Sequence, residues 1–219
     1  MSRHEATLEC ALYVVATPIG NLGDITARAL DTLRNVSVIA AEDTRVTRGL
    51  LAHFAIVTRT IAVHEHNERN AAAGIVNLLQ QGQSVALVTD AGTPAVSDPG
   101  AKVVAAVLHA GIRVIPVPGA SALVAALSAS GEGEHGFAFH GFLPAGAGDR
   151  IRALERLHDR YADSAMPLVF YESPHRVVES IAAMRSVFGD GQEIVVCREL
   201  TKKFESIVRL KLAEATAWL

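Results

Sequence analysis

Aspartate, glycine and proline crowd one short stretch, Ser84-Val-Ala-Leu-Val-Thr-Asp-Ala-Gly-Thr-Pro-Ala-Val-Ser-Asp-Pro-Gly100. Val85 to Val88 are apolar and mostly β-branched, which reads as a buried strand. The chain then turns through Asp90, Gly92, Thr93 and Pro94. It restarts near Asp98, which is placed to cap a helix with Pro99 in its first turn. Open α/β sheets bind ligands at such loops, beyond the carboxyl ends of their strands. An acid fixed there, Asp90, suits a ligand with hydroxyls or an amine and repels phosphate. A plain, well-formed βα connection fits the same residues.

Further polar loops follow other apolar runs. Thr17-Pro-Ile-Gly-Asn-Leu-Gly-Asp24 places Pro18 and Gly20 at a turn, but it is not the GxGxxG of dinucleotide-binding enzymes. Ala41-Glu-Asp-Thr-Arg45 offers Asp43 and Arg45, either as a helix cap with a surface charge or as substrate contacts. His64-Glu-His-Asn-Glu68 puts two imidazoles on one side of an extended segment. Without a third ligand at a recognisable spacing, we read it as a polar substrate-facing loop carrying His64 and Asn67, with no metal. Pro118-Gly-Ala-Ser-Ala122 brings small residues, Ser121 and Ala122 among them, that let a flat ligand approach the backbone.

Farther along, Phe170-Tyr-Glu-Ser-Pro-His-Arg176 would turn Glu172, His175 and Arg176 outward from a strand end. Arg198-Glu-Leu-Thr-Lys-Lys-Phe-Glu205 gathers Glu199 and Lys202 in one charged loop, which a solvated surface also explains. Arg152, Arg156 and Arg160 recur every four residues with Arg150 nearby, either as an exposed face or as a phosphate-contacting stripe.

These loops need a scaffold. Apolar runs at 12–16, 36–40, 60–63, 85–89 and 113–117 alternate with segments of helical periodicity. That alternation predicts a parallel sheet of right-handed βαβ units. The glycine-rich break at 131–136 predicts two domains. Residues 1–132 would form an N-terminal α/β domain bearing the loops, and residues 133–219 a smaller α/β domain with a mixed sheet. Its strands are expected at 137–142, 168–171, 193–197 and 206–210, and its helices at 149–162 and 174–188.

With 219 residues, 50% of them hydrophobic, the chain can bury a full core. A net charge of −3 argues against bulk electrostatic binding of nucleic acid but leaves room for a local basic patch. Arginine outnumbers lysine 16 to 4, which favours specific forks over diffuse charge. Cys10 and Cys197 are too few and too far apart for a disulfide framework or a zinc site, so a reducing, cytoplasmic setting is expected. No signal-peptide core opens the sequence, and no apolar run is long enough to span a bilayer.

Taken together, the segments VATPIGNLGDIT (15–26), AEDTR (41–45), HEHNE (64–68), TDAGTPAVSDPG (89–100), PGASA (118–122), GFLP (141–144), FYESPHR (170–176) and RELTKKFE (198–205) resemble the tetrapyrrole-methylase superfamily. Within it they resemble the ribosomal RNA small-subunit methyltransferase I family. They run in order over about nine tenths of the chain. The resemblance implies methylation of a cytidine 2′-hydroxyl in 16S rRNA of the small ribosomal subunit, with S-adenosylmethionine as cofactor. It implies a homodimer of two-domain chains with the cofactor in the cleft between the domains. It also implies that Pro18, Gly20, Asp90, Gly92, Thr93, Ser121, Ala122, Phe170 and Tyr171 contact the cofactor.

Motif position suggests Glu172 or Glu199 as general base and Lys202 as electrostatic stabiliser. Asp43, Arg45, His64, Asn67, Arg150, Arg152, Arg156 and Arg176 would hold RNA. Two departures stand out. The family's lysines after GFLP are replaced by Ala145-Gly-Ala-Gly-Asp149, leaving Arg150 and the stripe behind it. The family also continues past the position of Leu219, so a further carboxyl-terminal segment is expected. A tetrapyrrole-carbon methylase and a non-catalytic cofactor- or RNA-binding protein are the competing readings.

Overall fold

A computed structural model of the chain describes residues 8–63, 68–134 and 136–219. Its packing separates two compact units, Met1–Ala122 and Leu123–Leu219.

The first unit is built on β1 (Leu12–Val15), β2 (Val38–Ala41), β3 (Thr60–Ala62), β4 (Val85–Val88) and β5 (Val114–Val117). All pair in parallel, in the order β3-β2-β4-β1-β5. β2 and β4 are buried at every position, which explains their unbroken apolar runs. The strand period of two still sorts side chains between the two faces. Tyr13, Val15, Ala86 and Val88 pack with Ala29 and Leu33 of α1 (Ala27–Asn35) and Leu51 of α2 (Thr44–His53). On the other face, Leu12, Val85 and Leu87 meet Ala72, Ile75 and Leu79 of α3 (Glu68–Gln80) and Val103 and Val107 of α4 (Ala101–His109). Each fully buried Leu or Val contributes about 1.5–3 kcal/mol. This core fixes the strands, so the loops at their ends are shaped by polar contacts.

From β1 the chain goes to β2 on one side, and from β4 it goes to β5 on the other. The ends of the adjacent β1 and β4 therefore flank a topological switch point, where such sheets open a crevice. One cap differs from the sequence expectation. α4 begins after Gly100, at φ +128°, with no side-chain cap from Asp98. The preceding turn closes on itself through an Ala95 N–H bond to the Pro99 carbonyl, with Ser97 also left-handed at φ +62°. A Cβ on Gly100 would lie 3.0 Å from Leu87 Cδ2, so the core reserves this position for glycine.

The second unit contains α5 (Ala122–Ser130), β6 (Ala138–Phe142), α6 (Ala147–Tyr161), β7 (Leu168–Tyr171), α7 (Val177–Phe188), β8 (Glu193–Arg198), β9 (Ser206–Lys211) and α8 (Leu212–Trp218). Parallel and antiparallel pairing both occur, but as separate pairs: β6 with β7, and β8 with β9. Leu143, Leu154, Ile181, Met184, Leu212 and Ala215 form its core. The units divide earlier than residue 132 because polar contacts tie α5 to the second one. The Leu123 N–H donates to Tyr171 Oη at 3.0 Å, and the Arg209 guanidinium donates to the Ser130 carbonyl at 3.3 Å and to the Glu132 carboxylate. No helix among the described residues is long and apolar enough to cross a membrane.

Candidate functional site

Loops from four strand ends line one edge of the first unit. Thr17, following β1, exchanges both backbone hydrogen bonds with Gly92, following β4, at 2.9 and 3.0 Å. Thr17 Oγ1 donates to the Thr89 carbonyl at 3.1 Å, and Thr93 Oγ1 donates to the Ala120 carbonyl beyond β5 at 3.1 Å. Gly92 sits at φ +82°, and a Cβ there would meet Ile19 Cγ2 at 3.4 Å. Pro18, Gly20, Asp90, Gly92, Thr93, Ser121 and Ala122 thus lie on loops of one sheet edge, three of which are pinned to one another. Thr89 Oγ1 is buried and has no hydrogen-bond partner among the described residues.

The loop after β2 joins this rim through its acids. Parallel pairing of Ala41 with Val88 sets the two strand ends side by side. The Asp43 N–H donates to Asp90 Oδ1 at 3.1 Å, and the Asp90 N–H donates to Glu42 Oε2 at 3.3 Å. Burial pushes the Glu42 carboxyl up, and the Asp90 and Asp43 charges add to the rise. Asp98 is pushed up to about 6, first by burial and then by the charges of Glu42 and Asp90. Asp43 goes the other way and is held at about 2 by hydrogen bonds from Arg45. It caps α2 through the Arg45 N–H at 2.8 Å and receives the Arg45 guanidinium at 2.6 Å. Arg45 is therefore committed to Asp43, and Glu42, Asp90 and Asp98 have no salt bridge among the described residues. Sequence reading singled out Asp90 and missed its neighbours Glu42, Asp98 and Thr89. The strand register is what assembles them. His64 and Asn67 lie outside the described residues.

In the second unit, two expectations are corrected. Arg150 is only 2% exposed, so it is no part of an outward stripe. Its guanidinium donates to Glu179 Oε2 at 2.8 Å, Ser180 Oγ at 3.2 Å and the Ala145 carbonyl at 3.4 Å. Glu172 joins the same network, accepting from Ser180 Oγ at 2.5 Å and from the Ser173 N–H at 2.8 Å. With each oxygen bonded within the fold, Glu172 is a structural acceptor rather than an available base. Arg176 donates to the Leu143 carbonyl at 2.5 Å, which commits part of its fork to the scaffold. Phe170 packs against the core, and Tyr171 meets Phe139 and Phe142 edge-on.

The loop between β8 and β9 retains the two other candidates. Lys202 Nζ donates to Glu199 Oε1 at 3.2 Å, with both side chains well exposed. Glu199 and Thr201 adopt left-handed backbone at φ +53° and +67°, and Thr201 Oγ1 is buried without a hydrogen-bond partner among the described residues. Such outliers persist only where their surroundings hold them, and they concentrate at functional sites. The Thr201 N–H bond to Glu205 Oε2, at 2.5 Å, supplies that hold here. Arg152 is paired with Asp149 at 2.5 Å, whereas Arg156 and Arg160 have no salt bridge among the described residues. Those residues also contain no cluster of His, Cys, Asp and Glu fit to hold a metal.

The family model of the tetrapyrrole (corrin/porphyrin) methylases matches residues 11–216. A Vibrio cholerae protein named ribosomal RNA small subunit methyltransferase I is 51% identical over 208 residues, covering 95% of this chain and 71% of that protein. Its namesake in Bacillus subtilis is 45% identical over 207 residues, covering 94% and 69%. The chain belongs to this methyltransferase I family of the tetrapyrrole methylases. Among solved structures, the methyltransferase CobJ aligns with a TM-score of 0.69 at 21% identity, over 94% of this chain and 88% of that one. Uroporphyrin-III-C-methyltransferase from Thermus thermophilus aligns at 0.61 and 21%, over 94% and 87%. At such identities these two structures establish the tetrapyrrole methylase fold alone.

Proposed function

We propose that this chain is an S-adenosylmethionine-dependent methyltransferase acting on the 2′-hydroxyl of a cytidine in 16S rRNA of the small ribosomal subunit, as a cytoplasmic homodimer. The observation that carries the reading is the rim of the first unit. Its carboxylates, Glu42, Asp90 and Asp98, have no salt-bridge partner among the described residues, and burial first, then the charges of Glu42 and Asp90, raise Asp98 to about 6. A cationic ligand relieves that repulsion, whereas a phosphate-bearing one increases it. The orphaned Thr89 hydroxyl offers a further bond. A positively charged nucleoside without phosphate fits these residues. The choice of rRNA follows the names of the relatives.

When bound, S-adenosylmethionine would supply an electrophilic methyl carbon on a sulfonium. Asp90, Gly92, Thr93, Pro18, Gly20, Ser121 and Ala122 would hold it, with the remaining carboxylates of the rim facing its charge. Transfer forms a carbon–oxygen bond to the ribose as the carbon–sulfur bond breaks, so holding the reacting atoms in line supplies much of the catalysis. The ribose hydroxyl also has to lose a proton. In our reading Glu199 accepts it, and Lys202, 3.2 Å from that carboxylate, stabilises the developing negative charge.

Labelled S-adenosylmethionine, offered with small subunits, naked rRNA and a tetrapyrrole precursor, tests the proposal. We expect label in the cytidine ribose of 16S rRNA. Label in the tetrapyrrole would replace this reading with carbon methylation, and cofactor binding without transfer would leave a non-catalytic binder.

A further inference from the structure

A cavity of about 250 Å³ opens in the second unit between β6, the segment after it and α6. His140, Phe142, Leu143, Pro144, Ala153, Arg156, Leu157 and Arg160 line it. Its volume equals roughly eight waters at about 30 Å³ each, below the ~300–1,000 Å³ of pockets that enclose drug-sized ligands. It can take one flat ring with one small anion beside it.

The lining is chemically selective. α6 turns Ala153, Arg156, Leu157 and Arg160 toward this cavity, while Glu155, His158 and Asp159 line a different one. The acids that dilute the arginine stripe in the sequence therefore lie elsewhere, and the cations share one side. Neither Arg156 nor Arg160 has a salt bridge or hydrogen bond among the described residues. His140 stacks on Phe170 with ring centroids 5.7 Å apart, yet its Nε2 is buried without a hydrogen-bond partner among the described residues. Burial, and next the Arg160 charge, push the His140 imidazole down, which favours a neutral ring able to accept as well as donate. Phe142, 51% exposed, presents an aromatic surface at the same opening.

We propose that this cavity takes one unstacked nucleotide of single-stranded RNA, its base on Phe142 and hydrogen-bonded to His140 Nε2, its phosphate on Arg156 and Arg160. Sequence-tolerant single-strand sites combine these elements: an aromatic platform for a base and cations along the backbone. The inference rests on the rRNA reading above and names where the second unit grips that substrate.

The test uses the full chain with a short single-stranded RNA, the matching duplex, and inorganic polyphosphate as competitor. The single strand should bind tighter than the duplex and resist polyphosphate better than charge alone allows. Phe142→Ala should weaken single-strand binding about tenfold and leave the salt dependence intact. The Arg156→Ala/Arg160→Ala double variant should lower the slope of log affinity on log salt by about 0.7, the value for the one phosphate the two arginines share.

Phe142 touches Tyr171, so thermal melting accompanies its variant, and RNA-induced shifts of the His140 ring resonances in the unaltered protein report occupancy independently. Equal binding of single strand and duplex, or His140 resonances unmoved by bound RNA, overturns the proposal. Small-subunit methylation is measured in parallel. If wild type and cavity variants label subunits alike, the cavity loses its role and the methyltransferase reading stands. If subunits stay unlabelled while single-strand binding persists, the reverse holds.

Discussion

Half-buried carboxylates occur in both units, and their neighbours give them opposite roles. In the first unit, half-buried Glu42 and Asp98 share a rim with the exposed Asp90 and have no salt bridge among the described residues, and burial plus nearby acidic charge raises Glu42 and Asp98. In the second, Glu172 accepts from Ser180 and Ser173 and lies 3.7 Å from Arg176, while Arg150 binds both Ser180 and Glu179. A compensated acid is scaffold. Uncompensated acids at a strand-end crevice store repulsion that a cationic ligand can release.

The comparison can be broken most forcefully at Arg150. Arg150→Ala should destabilise the protein by about 3 kcal/mol, because it empties a buried site and removes the donor to Ser180, Glu179 and the Ala145 carbonyl. Urea unfolding measures this, and a change within error would mean the second unit does not depend on its polar network.

Next comes Lys202→Ala. Its expected effect is a roughly hundredfold loss of kcat, the scale of one charge-stabilising donor, with cofactor affinity unchanged. A matching loss of affinity would assign Lys202 to binding instead.

Gly92→Ala sharpens the first-unit side. An alanine at φ +82° with its Cβ 3.4 Å from Ile19 should cost about 1 kcal/mol of stability. Cofactor affinity by calorimetry should fall at least as steeply, and intact affinity would move the ligand away from this loop.

The smallest effect concerns Asp98. Its folded pKa, about 6, lies above the unfolded value of 3.8, so the folded state binds more protons between them and stability falls as pH rises through that window. Asp98→Asn should remove that slope and stabilise the protein above pH 6 by on the order of 1 kcal/mol, discounted for the group's partial exposure. A slope unchanged in the variant would mean that the rim acids are compensated after all.

Much of the scaffold was legible in the sequence. The buried strands of the first unit stand out as apolar runs, and α2, α4 and α6 follow from three-and-four spacing. Those signals are local, since each residue's own polarity and its near neighbours decide them. The site was legible only as separate loops. The Asp98 cap failed because Gly100 packs under Leu87, a contact made through the core. Arg150 read as exposed because its helix position looks like that of Arg152, although the first is buried against α7 and the second pairs with Asp149 at the surface. Splitting α6 between an arginine side and an acidic side likewise required knowing what packs beside it.

By itself, the sequence determined the alternation of strands and helices, the turn chemistry at their ends and the family to which those turns belong. The tertiary structure alone decided which charges meet. Asp90 touches the Asp43 amide across 47 residues of chain because Ala41 pairs with Val88. A charge's effect depends on its distance through space and on the water excluded around it, and neither is written in the spacing of residues along the chain.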